Sequence, residues 1–195
     1  IEQRGRLMEQ RRLIELMDLM EQMKNQTRHS WTSAGRRESV AEHSWRLTIM
    51  AFFLQDEFPE ADMMRVMKMC LFHDMGEVFT GDIPAFRKTQ ADEEEEGRQV
   101  EVWIQSLPHP YKNELTELFE EMEEKKTLEA QIYKALDRME ALIQHNEAAL
   151  STWLPLEYDL QMTYGEKDVQ FSGYLKELKR QINEDSEKKA GRTLI

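Results

Sequence analysis

The segment SVAEHSWRLTIMAF, Ser39 to Phe52, carries a helix start and a candidate ligand within five residues. Ser39 stands three positions before Glu42, the spacing of a capping box. The serine hydroxyl accepts from the N–H of Glu42, and the glutamate reaches back to the N–H of Ser39. A helix is expected to run from here through Trp45, Ile49 and Phe52 towards Asp56, with His43 in its first turn. Upstream, Leu13, Leu16, Met17, Met20 and Met23 recur at helical spacing, which predicts a helix over about 7–23. The polar stretch between them, 25–37, reads as a loop and holds Arg28, Trp31, Arg36 and Arg37.

Downstream, Phe58-Pro59-Glu60 is a break. Met63, Val66, Met67, Cys70 and Leu71 mark a further helix ending near His73-Asp74, with Gly76 as its stop. Residues 76–90 combine Gly, Asp and Pro and read as a loop. Helices are expected over about 93–106, 111–124, 128–150 and 166–184, and the charged tail from 183 onward is expected to fray. The run Glu93–Glu96 reads as a solvated helix start. No repeat and no linker divides the chain. The expectation is an all-α, single-domain helical bundle over residues 1–195, with its core in about 7–150.

The bulk numbers agree. Of 195 residues, 40% are hydrophobic and 33% charged, a globular balance. Gly and Pro number only 8 and 5 against 13 Met, which favours helices over a many-turned β fold. The formal charge of −12 repels nucleic acid polymers and anionic lipid. A small anionic substrate could bind if a metal and a few local cations reverse the field. One cysteine, Cys70, excludes an internal disulfide and suits a reducing cytoplasm. No stretch approaches the ~20 apolar residues of a membrane span. The opening residues, IEQRGRLMEQ, lack the features of a signal peptide.

Three stretches carry chemistry: Glu42-His43, His73-Asp74 and Asp137. Imidazoles and carboxylates converging from separate elements suit Mn, Co, Fe, Ni, Zn or Mg, with positions left for water and substrate. Each has a plainer reading. His43 could be a capping or surface residue, and a His-Asp pair is common by chance. Asp137 lies mid-helix among Ile132, Tyr133, Leu136 and Met139, where an ion pair to Lys134 or Arg138 would explain it. Glu77 and Asp82 follow the His-Asp pair closely and could position or deprotonate a water, or merely solvate a loop.

The run HDMGEVFTGDIPAFRK, residues 73–88, with ESVAEHS at 38–44 and Asp137 followed by Arg138, resembles the HD-domain superfamily of metal-dependent phosphohydrolases. It resembles most the branch of 5′-deoxyribonucleotidases, which remove phosphate from deoxynucleoside monophosphates. The resemblance spans roughly residues 7–150. It implies that His43, His73, Asp74 and Asp137 ligate the metal, that Glu77 is the general acid or base, and that Asp82 positions the water or the sugar. The branch carries an Arg-x-x-Trp element ahead of the first ligand. Here Arg28-His29-Ser30-Trp31 stands where typical members read Arg-Thr-Gly-Trp. Arg28 would then bind phosphate, Trp31 would shape the nucleoside pocket, and Lys88 would sit near the phosphate.

A phosphate dianion approaching an acidic chain needs compensating charge, which the metal, Arg28 and Lys88 would supply. The ion would bring the pKa of a water from ~16 towards ~7–9. Of five histidines only His109 falls between the His-Asp pair and Asp137, so one divalent metal ion is expected. His145 reads as a packing or solvated residue. Rival readings are hydrolysis of another phosphate ester (a nucleoside triphosphate, a cyclic nucleotide or a non-nucleotide) and nucleotide binding without turnover. A homodimer is a further expectation, with the first helix or the stretch around Trp153 as its surface.

Overall fold

The computed structural model describes residues 8–191. Its helices are α1 (Gln10–Asn25), α2 (Val40–Phe53), α3 (Met63–Phe72), α4 (Glu77–Thr80), α5 (Gln90–Gln105), α6 (Tyr111–Glu124), α7 (Leu128–Glu147), α8 (Glu157–Thr163) and α9 (Gly173–Ala190). Strands β1 (Thr27–Trp31) and β2 (Arg37–Ser39) pair antiparallel, Thr27 opposite Ser39 and Trp31 opposite Arg37. The fold is all-α apart from this hairpin. No described helix is long and apolar enough to cross a membrane.

Helix α7 is the axis. Ile132, Tyr133, Leu136, Met139 and Leu142 are buried along it, and so are the polar Asp137, Glu140 and Gln144. It packs against α2, α3, α6, α9 and β1. A helix buried on so many sides is the interior stave of a bundle, and whatever it carries inward is desolvated. That placement, more than any local propensity, puts Asp137 where it can face His43 and His73.

Helix α2 starts as expected. Ser39 caps it, Glu42 returns a bond to the Ser39 N–H at 2.8 Å, and His43 is wholly buried in the first turn. Its buried face is Val40, His43, Ser44, Leu47 and Ala51. Trp45, Ile49 and Phe52, which mark the helix in the sequence, point outward instead, with Trp45 64% and Phe53 77% exposed.

Five other expectations change. Residues 25–37 are not an open loop: most of them form β1 and the turn before β2, closed by Thr32 N–H to Arg36 O at 2.8 Å and by Gly35 at φ +79°. Short strands with little apolar alternation are weak in sequence. Gly76 does not end a helix in the left-handed conformation: it is right-handed, at φ −59°. Its hydrogen is required for another reason, since a Cβ there would stand 2.1 Å from Glu96 Cγ, where α5 crosses. Helix α5 starts at Gln90, earlier than expected, because Thr89 and Asp92 form a second capping box. Helix α9 starts at Gly173, capped by Ser172, later than the expected 166. The stretch expected to fray is helical through Ala190, with Ile182 and Ser186 buried; residues 192–195, and position 7 of the first expected helix, lie outside the described residues.

Candidate metal centre

Three helices each bring part of the cluster. His43 comes from the start of α2, His73 and Asp74 from the end of α3, and Asp137 from the middle of α7. His43 Nε2 lies 3.2 Å from Asp137 Oδ1 and 3.9 Å from Asp74 Oδ2. His73 Nε2 lies 3.0 Å from Asp74 Oδ2 and 3.6 Å from Asp137 Oδ1. Two donors each about 2.1 Å from a shared ion, 90–109° apart, stand roughly 3.0–3.4 Å from each other. His43, His73 and Asp74 offer donor atoms that all lie within 4.8 Å of one another, a spacing that one shared cation would allow, and Asp137 Oδ1 adjoins both imidazoles.

Both imidazoles are oriented from behind. His43 Nδ1 bonds Glu140, and His73 Nδ1 lies 2.9 Å from the Cys70 carbonyl oxygen. A ring whose Nδ1–H is spoken for presents a bare Nε2, the tautomer a metal requires. Among the described residues His73 Nε2 is buried with no partner in hydrogen-bonding geometry. Such an atom is costly unless something else occupies its lone pair. The donor set fits a divalent transition ion or Mg²⁺.

The electrostatics agree. Burial would raise the carboxyls of Asp74 and Asp137. For Asp74, His73, His43 and Arg28 more than cancel it; for Asp137, Lys134 and the two imidazoles do, with Lys134 Nζ at 2.8 Å. Burial would lower His73, but Asp74 and Asp137 push it up to about 10. Both sequence readings of Asp137 hold in geometry: it pairs with Lys134 and it faces the two histidines.

Around this cluster, Arg28 from β1 reaches Asp74 Oδ2 and Glu38 Oε2, both at 3.3 Å. Glu77, first residue of α4, is buried beside Asp74 and Asp82, and burial with those two charges pushes its carboxyl up to about 9. Its Oε2 has no hydrogen-bond partner among the described residues. Asp82 accepts from the backbone N–H of His29, while burial raises its carboxyl. Lys88 pairs with Glu96 at 2.7 Å and feels Glu77 and Asp74. Glu96, expected as part of a solvated run, is thus the packing partner of Gly76 and Lys88.

Trp31 sits apart from these. Arg37 stacks over its ring at 4.5 Å, and Gln144 donates to its carbonyl at 2.8 Å. A pocket of about 120 Å³ is lined by Arg28, His29, Asp82, Phe86, His145 and Glu157, among others, but not by Trp31. The sequence reading missed His145 and Glu157 in this role. Trp153, expected as a surface, is buried and stacks on His145 at 4.2 Å. Two histidines and a glutamate dispersed over positions 29, 145 and 157 carry no local signature.

A sequence model described as an HD domain matches residues 20–179. The chain is 35% identical over 144 residues to 5′-deoxynucleotidase HDDC2 of Homo sapiens, covering 70% of this chain and 68% of that protein. It is 28% identical over 165 residues to 5′-deoxynucleotidase hdd1 of Schizosaccharomyces pombe, covering 80% and 77%. Among solved structures it superimposes with TM-score 0.76 and 26% identity on one described as a predicted metal-dependent phosphohydrolase from Magnetospirillum magnetotacticum, covering 92% of this chain and 97% of that one.

Proposed function

This chain belongs to the HD domain family, and from that premise we propose that it is a metal-dependent phosphohydrolase that converts 5′-deoxyribonucleoside monophosphates to nucleoside and phosphate. The observation that carries the proposal is the convergence of His43, His73 and Asp74 within 4.8 Å of one another, with Asp137 Oδ1 beside both imidazoles. These four would hold one divalent ion. When bound, such an ion supplies Lewis acidity towards water and compensates phosphate charge.

The remaining groups have roles that their positions support. Arg28 offers a planar, permanently charged fork at the rim of the pocket, suited to phosphate oxygens. Lys88, already drawn towards Glu77 and Asp74, adds a second positive charge. Glu77, when ionised, would take a proton from the attacking water and return it to the leaving 5′-oxygen; burial and two neighbouring acids raise its affinity for that proton. Asp82, fixed by the His29 N–H at the pocket mouth, orients the water or the sugar. Trp31, clamped by Arg37, steadies the β1 end of that wall.

The described residues are read as one domain, because α9 packs on α7. A single buried Cys70 supports residence in a reducing cytoplasm. The chain's charge of −12 speaks against a nucleic acid polymer as partner. Trp45, Ile49, Phe52 and Phe53 on α2, with Met64 and Leu71 on α3, are exposed apolar side chains that support a homodimer through this face.

The test is phosphate release from a panel of deoxynucleoside 5′-monophosphates with Mn²⁺, Co²⁺ or Mg²⁺. Release is expected with at least one ion and none after chelation. A metal-loaded protein silent across the panel refutes the substrate assignment.

A further inference from the structure

The pocket that Arg28 and Asp82 line also holds a polar group that the hydrolytic roles leave unused. Glu157, at the start of α8, is 5% exposed. Its Oε1 lies 2.8 Å from His29 Nε2 of β1, its Oε2 lies 3.7 Å from His145 Nε2 of α7, and the N–H of Leu154 donates to Oε2 at 2.6 Å. Three elements distant in sequence thus converge on one carboxylate. Both Nε2 atoms are buried without a partner in hydrogen-bonding geometry. The walls leading there include Phe86, Leu142, Leu160 and Tyr164. Apolar walls with a few convergent polar groups at the end are the form of a ligand pocket.

The donor pattern can be read. Arg37 Nη1 stands 3.4 Å from His29 Nδ1. An arginine can only donate, so Nδ1 is the acceptor and Nε2 carries the proton in the neutral ring. The end of the pocket therefore presents an N–H donor beside a carboxylate acceptor. Resting on the nucleotidase reading, with phosphate at Arg28, the base extends towards this pair. Guanine, hypoxanthine, thymine and uracil carry a ring N–H next to a carbonyl. The N–H would donate to Glu157 and the carbonyl would accept from His29. Adenine and cytosine carry a ring lone pair at the equivalent nitrogen, which would face the carboxylate and repel it.

We propose that His29, Glu157 and His145 form a base-reading subsite that selects deoxynucleotides of oxo bases over those of amino bases.

The decisive pair is dIMP and dAMP, one purine frame differing only at the 6-substituent and N1. With the full-length, metal-loaded protein, kcat/KM is expected to favour dIMP by about tenfold or more. Glu157→Gln, whose amide can donate to adenine N1, is expected to compress that ratio severalfold. Equal kcat/KM for dIMP and dAMP in the wild type overturns the proposal, as does an unchanged ratio in a folded Glu157→Gln protein. Should that variant not fold, His29→Gln carries the same expectation. If no deoxynucleotide releases phosphate, the nucleotidase reading fails instead. The subsite is then read by calorimetric binding of dIMP against dAMP, where equal affinities overturn it.

Discussion

Two buried charged clusters lie on opposite sides of α7, and they are finished differently. At the candidate metal centre, His73 Nε2 and Glu77 Oε2 are buried without hydrogen-bond partners among the described residues, and like charges crowd together. On the other side, Lys179 of α9 is 2% exposed yet well supplied. Its Nζ donates to the Gln161 and Met162 carbonyls at 3.1 Å each, and to the Asn183 side chain. These bonds tie α9 to the end of α8, whose other end carries Glu157. Nearby, Gln161 donates to the Leu142 carbonyl and to Ser186 Oγ. A satisfied buried ion is architecture, whereas an unsatisfied one marks where a ligand supplies the missing partner.

The largest expected effect separates the two. Asp74→Ala should lower kcat/KM by about 1000-fold or more, roughly 4 kcal/mol of barrier, and abolish metal retention, while far-UV circular dichroism stays native. If turnover survives, Asp74 is no ligand. Lys179→Ala should act the other way round: it orphans two carbonyls and an amide, so a loss of about 2–4 kcal/mol in urea unfolding is expected. With roughly 2–4 °C per kcal/mol at this size, the melting temperature should fall by about 5–15 °C.

The Lys179 cluster also has a sign that pH can read. Burial lowers its pKa to about 8, below the ordinary 10.5. The fold therefore disfavours the charged form relative to the unfolded chain. The penalty is fully present below about pH 8 and is relieved as pH climbs from there to about 10.5. Wild-type stability relative to Lys179→Met should rise by up to about 3 kcal/mol across that window. A flat difference between pH 8 and 10 would contradict the burial argument.

Smaller effects sharpen the contrast. Glu140→Gln leaves His43 Nδ1 without its carboxylate and should weaken Mn²⁺ binding about 10–100-fold, read by calorimetry. Unaltered affinity would show that Glu140 does not orient the ring. Ser39→Ala removes the cap that starts α2 and should cost only about 1 kcal/mol of stability, with metal affinity little changed.

The metal centre was legible because its residues sit at strong local signals. The Ser39–Glu42 box fixes where α2 begins, hence where His43 falls, and HDMGEVFTGDIP is a contiguous run. The interior position of α7 was legible in its length but not in its surroundings, so Asp137 stayed ambiguous until the neighbouring helices were in place. The far end of the pocket was illegible for a physical reason. His29, His145 and Glu157 meet only through the packing of β1, α7 and α8, and α8 is a short helix with no side-chain cap to announce it. Helix α2 misled in the opposite sense. Its largest apolar side chains, Trp45, Ile49, Phe52 and Phe53, lie on the outer face, while small Ala51 and Ser44 line the inner one. Hydrophobic periodicity locates a helix, but it does not say which of two apolar faces is the interior.

The central claim is that two imidazoles and two carboxylates enclose one cation, and anomalous diffraction tests it directly. Crystals equilibrated with Mn²⁺ and measured near the manganese edge should show one strong peak within about 2.0–2.3 Å of His43 Nε2, His73 Nε2 and carboxylate oxygens of Asp74 and Asp137. A map with no peak there, or with manganese held only by other residues, would contradict the account.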